Sequence, residues 1–323
     1  MSELAKTIDT EINPDKPWEN VDYLKREQVA KDFTNLLRTV EQSFVVALNA
    51  PYGSGKTFFL KRWQCDLPKD EFVSVFFNAW DTDFCNQPFI AFMHAILSQL
   101  KHTETSNTEA FQTRWKNVKS AGVKIALGLG KDLLKHTIPA TGDAIAGMVS
   151  NPEISKGVSD GLTSAFNQGD QAISGNTFET GTQVDLFDEY KKRRAELESF
   201  KQTLRALVQE FDGKKLVIFV DELERCRPTY AVELLECIKH LFDVDGIIFV
   251  LATDRSQLQH TISNLYGNGM DSEGYLRRFI DIELKFPDPE IEDYIKYLTD
   301  YFKLGEVLTN KACWRTGLAD VNK

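Results

Sequence analysis

Lys56 and Thr57 follow two glycines at the end of one apolar run, and Asp221 and Glu222 end another far along the chain. An ammonium and a hydroxyl in one place and two carboxylates in the other are the groups needed to hold a magnesium-complexed phosphate chain and to direct a water at it. In the first stretch Ala50, Pro51, Tyr52, Gly53, Ser54, Gly55, Lys56, Thr57 and Phe58 lead from the strand-like segment FVVALN into a helix-like one. Gly53 and Gly55 let the backbone curl so that successive N–H groups face phosphate oxygens, Lys56 reaches the β- and γ-phosphates, and Thr57 ligates Mg²⁺. The helix opening here adds the positive end of its dipole beneath the anion. The stretch reads as a P-loop, G-x-x-x-x-G-K-[ST], with Ala50 where the pattern has its first glycine.

The second stretch, KKLVIFVDELERCRP, reads as a Walker B strand, an apolar run that presents acids at its carboxyl edge. Asp221 is expected to hold Mg²⁺ through water, and Glu222 to orient or deprotonate the attacking water. A third run, GIIFVLATDRSQL, leaves Thr253, Asp254 and Arg255 at its tip. Thr253 or Asp254 is expected to position the water or the γ-phosphate; the alternative for Asp254 is the N-cap of the next helix. No arginine lies in the P-loop itself, so the transition-state cation must come from elsewhere, and Arg277 and Arg278 are the candidates. Arg225 and Arg227 are expected to brace the Walker B turn. A cation supplied by a neighbouring copy implies self-association.

Positioning these groups requires a layered α/β domain, and the chain has the composition for one. Its 323 residues are 42% hydrophobic and 27% charged, enough to bury a sizeable core. The net charge of −10 argues against a chain that coats nucleic acid through its overall field, so no sequence-specific nucleic-acid partner is expected. Five cysteines form no CxxC pair and predict reduced thiols in a cytoplasmic setting and no zinc site. His94 and His240 lie in helical patterns without a partner at metal spacing. The N-terminus lacks a signal-peptide core, and nowhere is there an apolar run of the roughly 18 residues that span a bilayer.

Taken in order, residues 1–17 form a polar leader, and helical spacing from Val21 to Val40 precedes the P-loop strand, either walling a base pocket or simply packing on the sheet. Residues 18–105 make the first half of the nucleotide domain, with EFVSVFFNAW as its second strand. Residues 106–182 are rich in glycine and small residues and read as an insertion. Residues 183–287 complete the domain, and 288–323 make a short helical lid or tail. The KKRR run, Lys191 to Arg194, is a solvated face or an anion contact.

The chain resembles the KAP family of P-loop NTPases, a branch of the additional-strand class that includes AAA+ and STAND proteins. The resemblance runs from about Trp18 to Pro287. It is carried by APYGSGKT (50–57), FNAW (77–80), DELERCRP (221–228), FVLATDRSQL (249–258) and YLRRFI (275–280). DELERC follows the family's D-[DE]-L-D-R-C, and FNAW its Asn-x-Trp. The chain departs from the family pattern at Ala50, at Glu224 where aspartate is usual, and in a short C-terminal region that reads as a truncated or minimal member. The resemblance implies a doubly wound parallel sheet of five strands, order 5-1-4-3-2, with a helical insertion between the Walker motifs. It further implies ATP and Mg²⁺ as ligands and a nucleotide-driven switch, with bacterial and phage-related members acting in exclusion and defence. ATP is expected over GTP, because Asn310-Lys311 is followed by Ala312-Cys313 and not by the acid of N-K-x-D. The alternatives are a nucleotide-holding scaffold or sensor with little turnover, and a membrane-associated effector gated by the NTPase. The segment GVKIALGLGKDLLKHTIPATGDAIAGMV is either a peripheral membrane contact or a pair of small-residue helices packed on each other or on an unidentified protein partner.

Overall fold

The computed structural model of the chain describes residues 12–137 and 186–302, apart from residues 86, 242 and 268. The first eleven residues, most of the expected insertion (from residue 138) and the tail from 303 lie outside them, with Asp143, Asn310 and Cys313.

In chain order the elements are α1 (Arg26–Thr39), β1 (Phe44–Asn49), α2 (Lys56–Asp66), β2 (Phe72–Asn78), α3 (Pro88–Leu100) and α4 (Glu109–Thr137). They continue with α5 (Leu186–Gln209), β3 (Lys215–Asp221), α6 (Pro228–Ile238), β4 (Ile247–Thr253), α7 (Arg255–Tyr266), α8 (Ser272–Leu276), β5 (Ile282–Lys285) and α9 (Ile291–Tyr301). The helix starts follow local chemistry. Proline occupies the first turn of α3 and of α6, where a missing N–H costs nothing. The carboxylates of Asp254 and Asp271 accept from the first N–H groups of α7 and α8.

The five strands form one sheet in the order β2-β3-β4-β1-β5, every pairing parallel. This is the expected 5-1-4-3-2 read from its other edge. Both faces are covered, so the central strands read as unbroken apolar runs rather than alternating ones. In β3, Leu216, Ile218 and Val220 enter the core beneath α3–α6, while Val217 and Phe219 enter the core shared with α1 and α2. All five are at most 2% exposed, and each contributes about 1.5–3 kcal/mol by leaving water. α1 buries Ala30 and Leu37 in the second core, and the Trp63 indole N–H donates to Thr34 at 2.9 Å. α1 thus packs on α2 and the sheet.

The segment after residue 106 starts as ordered structure continuous with the domain. Phe111 and Val118 of α4 are fully buried in the first core with Phe200 of α5 and Phe211 just beyond that helix. Gly122 faces α5, and an added Cβ would lie 3.5 Å from the Phe200 ring, an ordinary contact distance. Among the described residues no helix is long and apolar enough to cross a membrane.

The register decides where the chemistry goes. Asn49 of β1 lies opposite Thr253 of β4, and Asn78 of β2 opposite Asp221 of β3, so four strands end within a residue of one another along one edge of the sheet.

Candidate nucleotide site

That edge assembles the expected groups. After β1 the chain bonds sideways, Ala50 N–H to Thr253 O at 3.2 Å, and then turns through Gly53 (φ 80°) and Gly55 (φ 87°). Both glycines are left-handed, with open space where a Cβ would sit, so the curl is a bare backbone cradle that a side chain would both strain and fill. Gly55 leads directly into α2, whose first N–H groups have no side-chain cap and face the cradle's base. Pro51, Tyr52 and the two glycines are exposed, Ser54 is half-buried with its hydroxyl unpartnered, and Phe58 turns onto α2 to stack against the Arg62 guanidinium at 3.5 Å.

Lys56 is only 7% exposed. Its ammonium donates to Ala50 O at 2.8 Å and Pro51 O at 3.3 Å, and pairs with Glu224 at 3.3 Å. Glu224 is as buried as its partner, at 5%, and its second oxygen has no hydrogen-bond partner.

Asp221 is wholly buried at the end of β3. Burial pushes its carboxyl up to about 6, against the opposing hydrogen bonds from the Thr57 hydroxyl and the Glu222 N–H. One of its oxygens, Oδ2, has no partner. A buried carboxylate with an open oxygen beside a hydroxyl is an incomplete oxygen donor set. Two protein oxygens leave further positions to water and phosphate, as Mg²⁺ favours, so Thr57 and Asp221 fit that ion.

Glu222 breaks the strand with a left-handed conformation (φ 60°) and starts the 3₁₀ turn Leu223–Arg225. One Glu222 oxygen accepts from the Asn78 side chain at 3.1 Å, and the other pairs with Arg225 at 2.7 Å. Asn78 is itself held, its own oxygen accepting from the N–H groups of Trp80 (3.0 Å) and Asp81 (3.4 Å). Arg227 bonds Asp83 through its backbone (3.0 Å) and its guanidinium (2.8 Å), as a brace should.

At the strand tip, Asp254 caps α7 and also accepts from the Tyr52 N–H at 3.1 Å, tying the cradle to β4. Its burial raises its pKa, but the Ser256 hydroxyl and the N–H groups of Gln257 and Tyr52 outweigh that and hold it below the ordinary value. Thr253 is buried next to it. Arg255 turns away to Glu283 and Glu273. Arg277 and Arg278 are exposed, Arg277 pairs with Glu273 at 2.6 Å, and no described contact joins either to the cradle.

The structure thus brings Lys56, Thr57, Asp221, Glu222 and Asp254 to one edge and leaves Arg277 and Arg278 off it. It adds three groups the motif reading did not assign to the site: Glu224, Asn78 and Arg225. The pattern held a signal for one of them, Arg225. Positions 222 and 225 lie three apart, one turn of a 3₁₀ helix, so a tight turn after the strand sets their side chains together.

The sequence matches the model of the KAP family P-loop domain over residues 26–314. The chain belongs to the KAP family. The KAP domain places this chain among P-loop NTPases, nucleotide-binding proteins by family. An uncharacterized protein of Methanocaldococcus jannaschii is 26% identical over 181 residues, 56% of this chain and 89% of that protein. The phage T7 exclusion protein of Escherichia coli K12 is 27% identical over 79 residues, 24% of this KAP chain and only 10% of that protein's length. Among solved structures, the Aeropyrum pernix ORC2 protein in ADPNP and ADP complexes is similar with a TM-score of 0.36 and 14% identity. That likeness covers 87% of this chain and about half, 51%, of ORC2.

Proposed function

We propose that this KAP protein binds ATP together with Mg²⁺ and hydrolyses it, using the cycle as a conformational switch. The observation that carries the reading is the buried Lys56 beneath a bare glycine cradle, at the same sheet edge as Asp221 with its open oxygen and its Thr57 neighbour. In this reading the cradle N–H groups and Lys56 hold the phosphates, and Thr57 and Asp221 hold Mg²⁺, which neutralises phosphate charge. Glu222 directs a water at the γ-phosphorus; the bond to the bridging oxygen breaks, and ADP and inorganic phosphate leave. Phosphate release by the purified chain, with and without Mg²⁺ and in Lys56→Ala, tests it. Magnesium-dependent release lost in the variant supports the proposal, and release unaffected by the variant overturns it.

A second reading, a nucleotide-holding sensor with little turnover, is favoured by one feature: both oxygens of Glu222 are already engaged, by Asn78 and Arg225. Tight binding without release of phosphate would select it. A cytoplasmic role in phage exclusion or defence rests on the short match to the T7 exclusion protein. Plating efficiency of phages on cells carrying the wild-type chain or its Lys56→Ala variant tests that role. Self-association through the exposed Arg277 and Arg278 remains a proposal, tested by whether specific activity rises with protein concentration and sedimentation in ATP shows an oligomer.

A further inference from the structure

Two charged groups at the cradle, Lys56 and Glu222, are each neutralised by a neighbour, and both neighbours come from one turn. Glu224 occupies Lys56, and Arg225 occupies Glu222. The second pair differs from the first in being accessible: the Arg225 side chain is 32% exposed and that of Glu222 12%. The Arg225 guanidinium is also held from two other loops. Its central carbon lies 4.6 Å from the centre of the Tyr52 ring and 5.4 Å from that of Trp80. Tyr52 belongs to the cradle itself, and Trp80 opens the turn Trp80–Thr82 after β2. The rings are 67% and 52% exposed, two large aromatic side chains left at the surface with a cation against their faces.

Two other cations near this edge are committed elsewhere, Arg227 to Asp83 and Arg255 to Glu283. Arg225 alone among these touches both a cradle residue and the acid expected to direct water. A planar, weakly hydrated guanidinium can slide across an aromatic face and form two parallel bonds to a phosphate. The ion pair it would leave is partly solvated, hence weak.

Building on the nucleotide reading above, we propose that Arg225 is the residue that senses the terminal phosphate. A third phosphate draws the guanidinium off Glu222, gives the γ-phosphate a cation supplied by the same chain, and frees the Glu222 carboxylate only when there is a bond to hydrolyse. ADP leaves the Arg225 and Glu222 pair intact.

The test compares binding of ADP and of a non-hydrolysable β,γ-imido ATP analogue, each with Mg²⁺, to wild-type protein, Arg225→Gln and Arg225→Lys, and follows tryptophan emission. Arg225→Gln should weaken analogue binding tenfold or more while changing ADP binding less than twofold, with Arg225→Lys between. Wild-type emission should change with the analogue and not with ADP, and Trp80→Phe should lack that change. An unchanged analogue-to-ADP ratio in folded Arg225→Gln overturns the assignment. Should that variant not fold, equal emission responses of the wild type to both nucleotides overturn it. Wild-type protein that binds neither nucleotide overturns the nucleotide reading itself, a distinct result.

Discussion

Replacing Glu224 by glutamine should make the protein bind nucleotide more tightly and stand up to heat less well. Lys56 and Glu224 are 3.3 Å apart and both nearly buried. Coulomb's law with an effective dielectric of about 20 gives roughly 5 kcal/mol for such a pair, an upper bound on their attraction. Much of that survives the substitution, because glutamine keeps an acceptor oxygen and Lys56 keeps the carbonyls of Ala50 and Pro51. What is lost is the extra attraction of the ammonium for a carboxylate over that for an amide oxygen, about 1–1.5 kcal/mol. The loss falls on the free protein alone, since Lys56 must leave Glu224 to reach the phosphates, and the bound state loses a carboxylate that repels them. The dissociation constant for Mg-ATP should fall by about tenfold, while the midpoint of thermal unfolding without nucleotide drops by a few degrees. Glu224→Asp, which restores the family's usual acid one methylene shorter, should lie between. Titration calorimetry and thermal melts on the same preparations read both quantities. Unchanged or weaker ATP binding in a folded Glu224→Gln protein would refute the idea that this pair competes with nucleotide.

Asp221→Asn should separate stability from binding. An acid whose folded pKa, about 6, stands above its unfolded value stabilises the fold least at high pH, and the loss accrues as pH rises from about 4 through 6. The asparagine variant without nucleotide or Mg²⁺ should therefore be more stable than wild type by about 2–3 kcal/mol at pH 7.5 and little different at pH 4, yet lose magnesium-dependent ATP binding; equal melts at pH 7.5 would contradict the burial argument. Asp254→Ala removes a helix cap and the bond to Tyr52 N–H together, so it should cost about 1 kcal/mol of stability and weaken ATP binding; loss of stability with unchanged affinity would leave Asp254 a cap only. If the segment 122–149 contacts membranes, the protein should co-float with anionic liposomes in low salt, and a variant lacking 121–149 should not; absence of flotation with and without ATP would leave a docking role toward protein.

The sheet and its candidate nucleotide edge were legible because they depend on local rules: unbroken apolar runs ending in acids, glycines where φ must be positive, and an acid in front of a helix. Glu224 was not legible as a site residue, and Arg225 only through its spacing from Glu222, because their placement follows from a left-handed conformation at Glu222. Nothing in the residue type announces that, since a glutamate rarely adopts it. Once the chain kinks there, the side chain of Glu224 drops to Lys56 and that of Arg225 rises to Tyr52, contacts between residues very distant in sequence. Asp254 had two expected roles, and the geometry gives it the cap and a bond to the cradle at once. The small residues of α4 blurred its helical pattern, because periodicity is read from larger apolar side chains.

The central claim is that Lys56, Thr57 and Asp221 together form a magnesium-nucleotide site. Calorimetric titration of the whole chain with the β,γ-imido ATP analogue, in Mg²⁺ and again in EDTA, tests it most directly. Saturable binding that weakens without Mg²⁺ and disappears in a folded Lys56→Ala variant is the predicted result. Binding of equal strength in the wild type and in Lys56→Ala would contradict it.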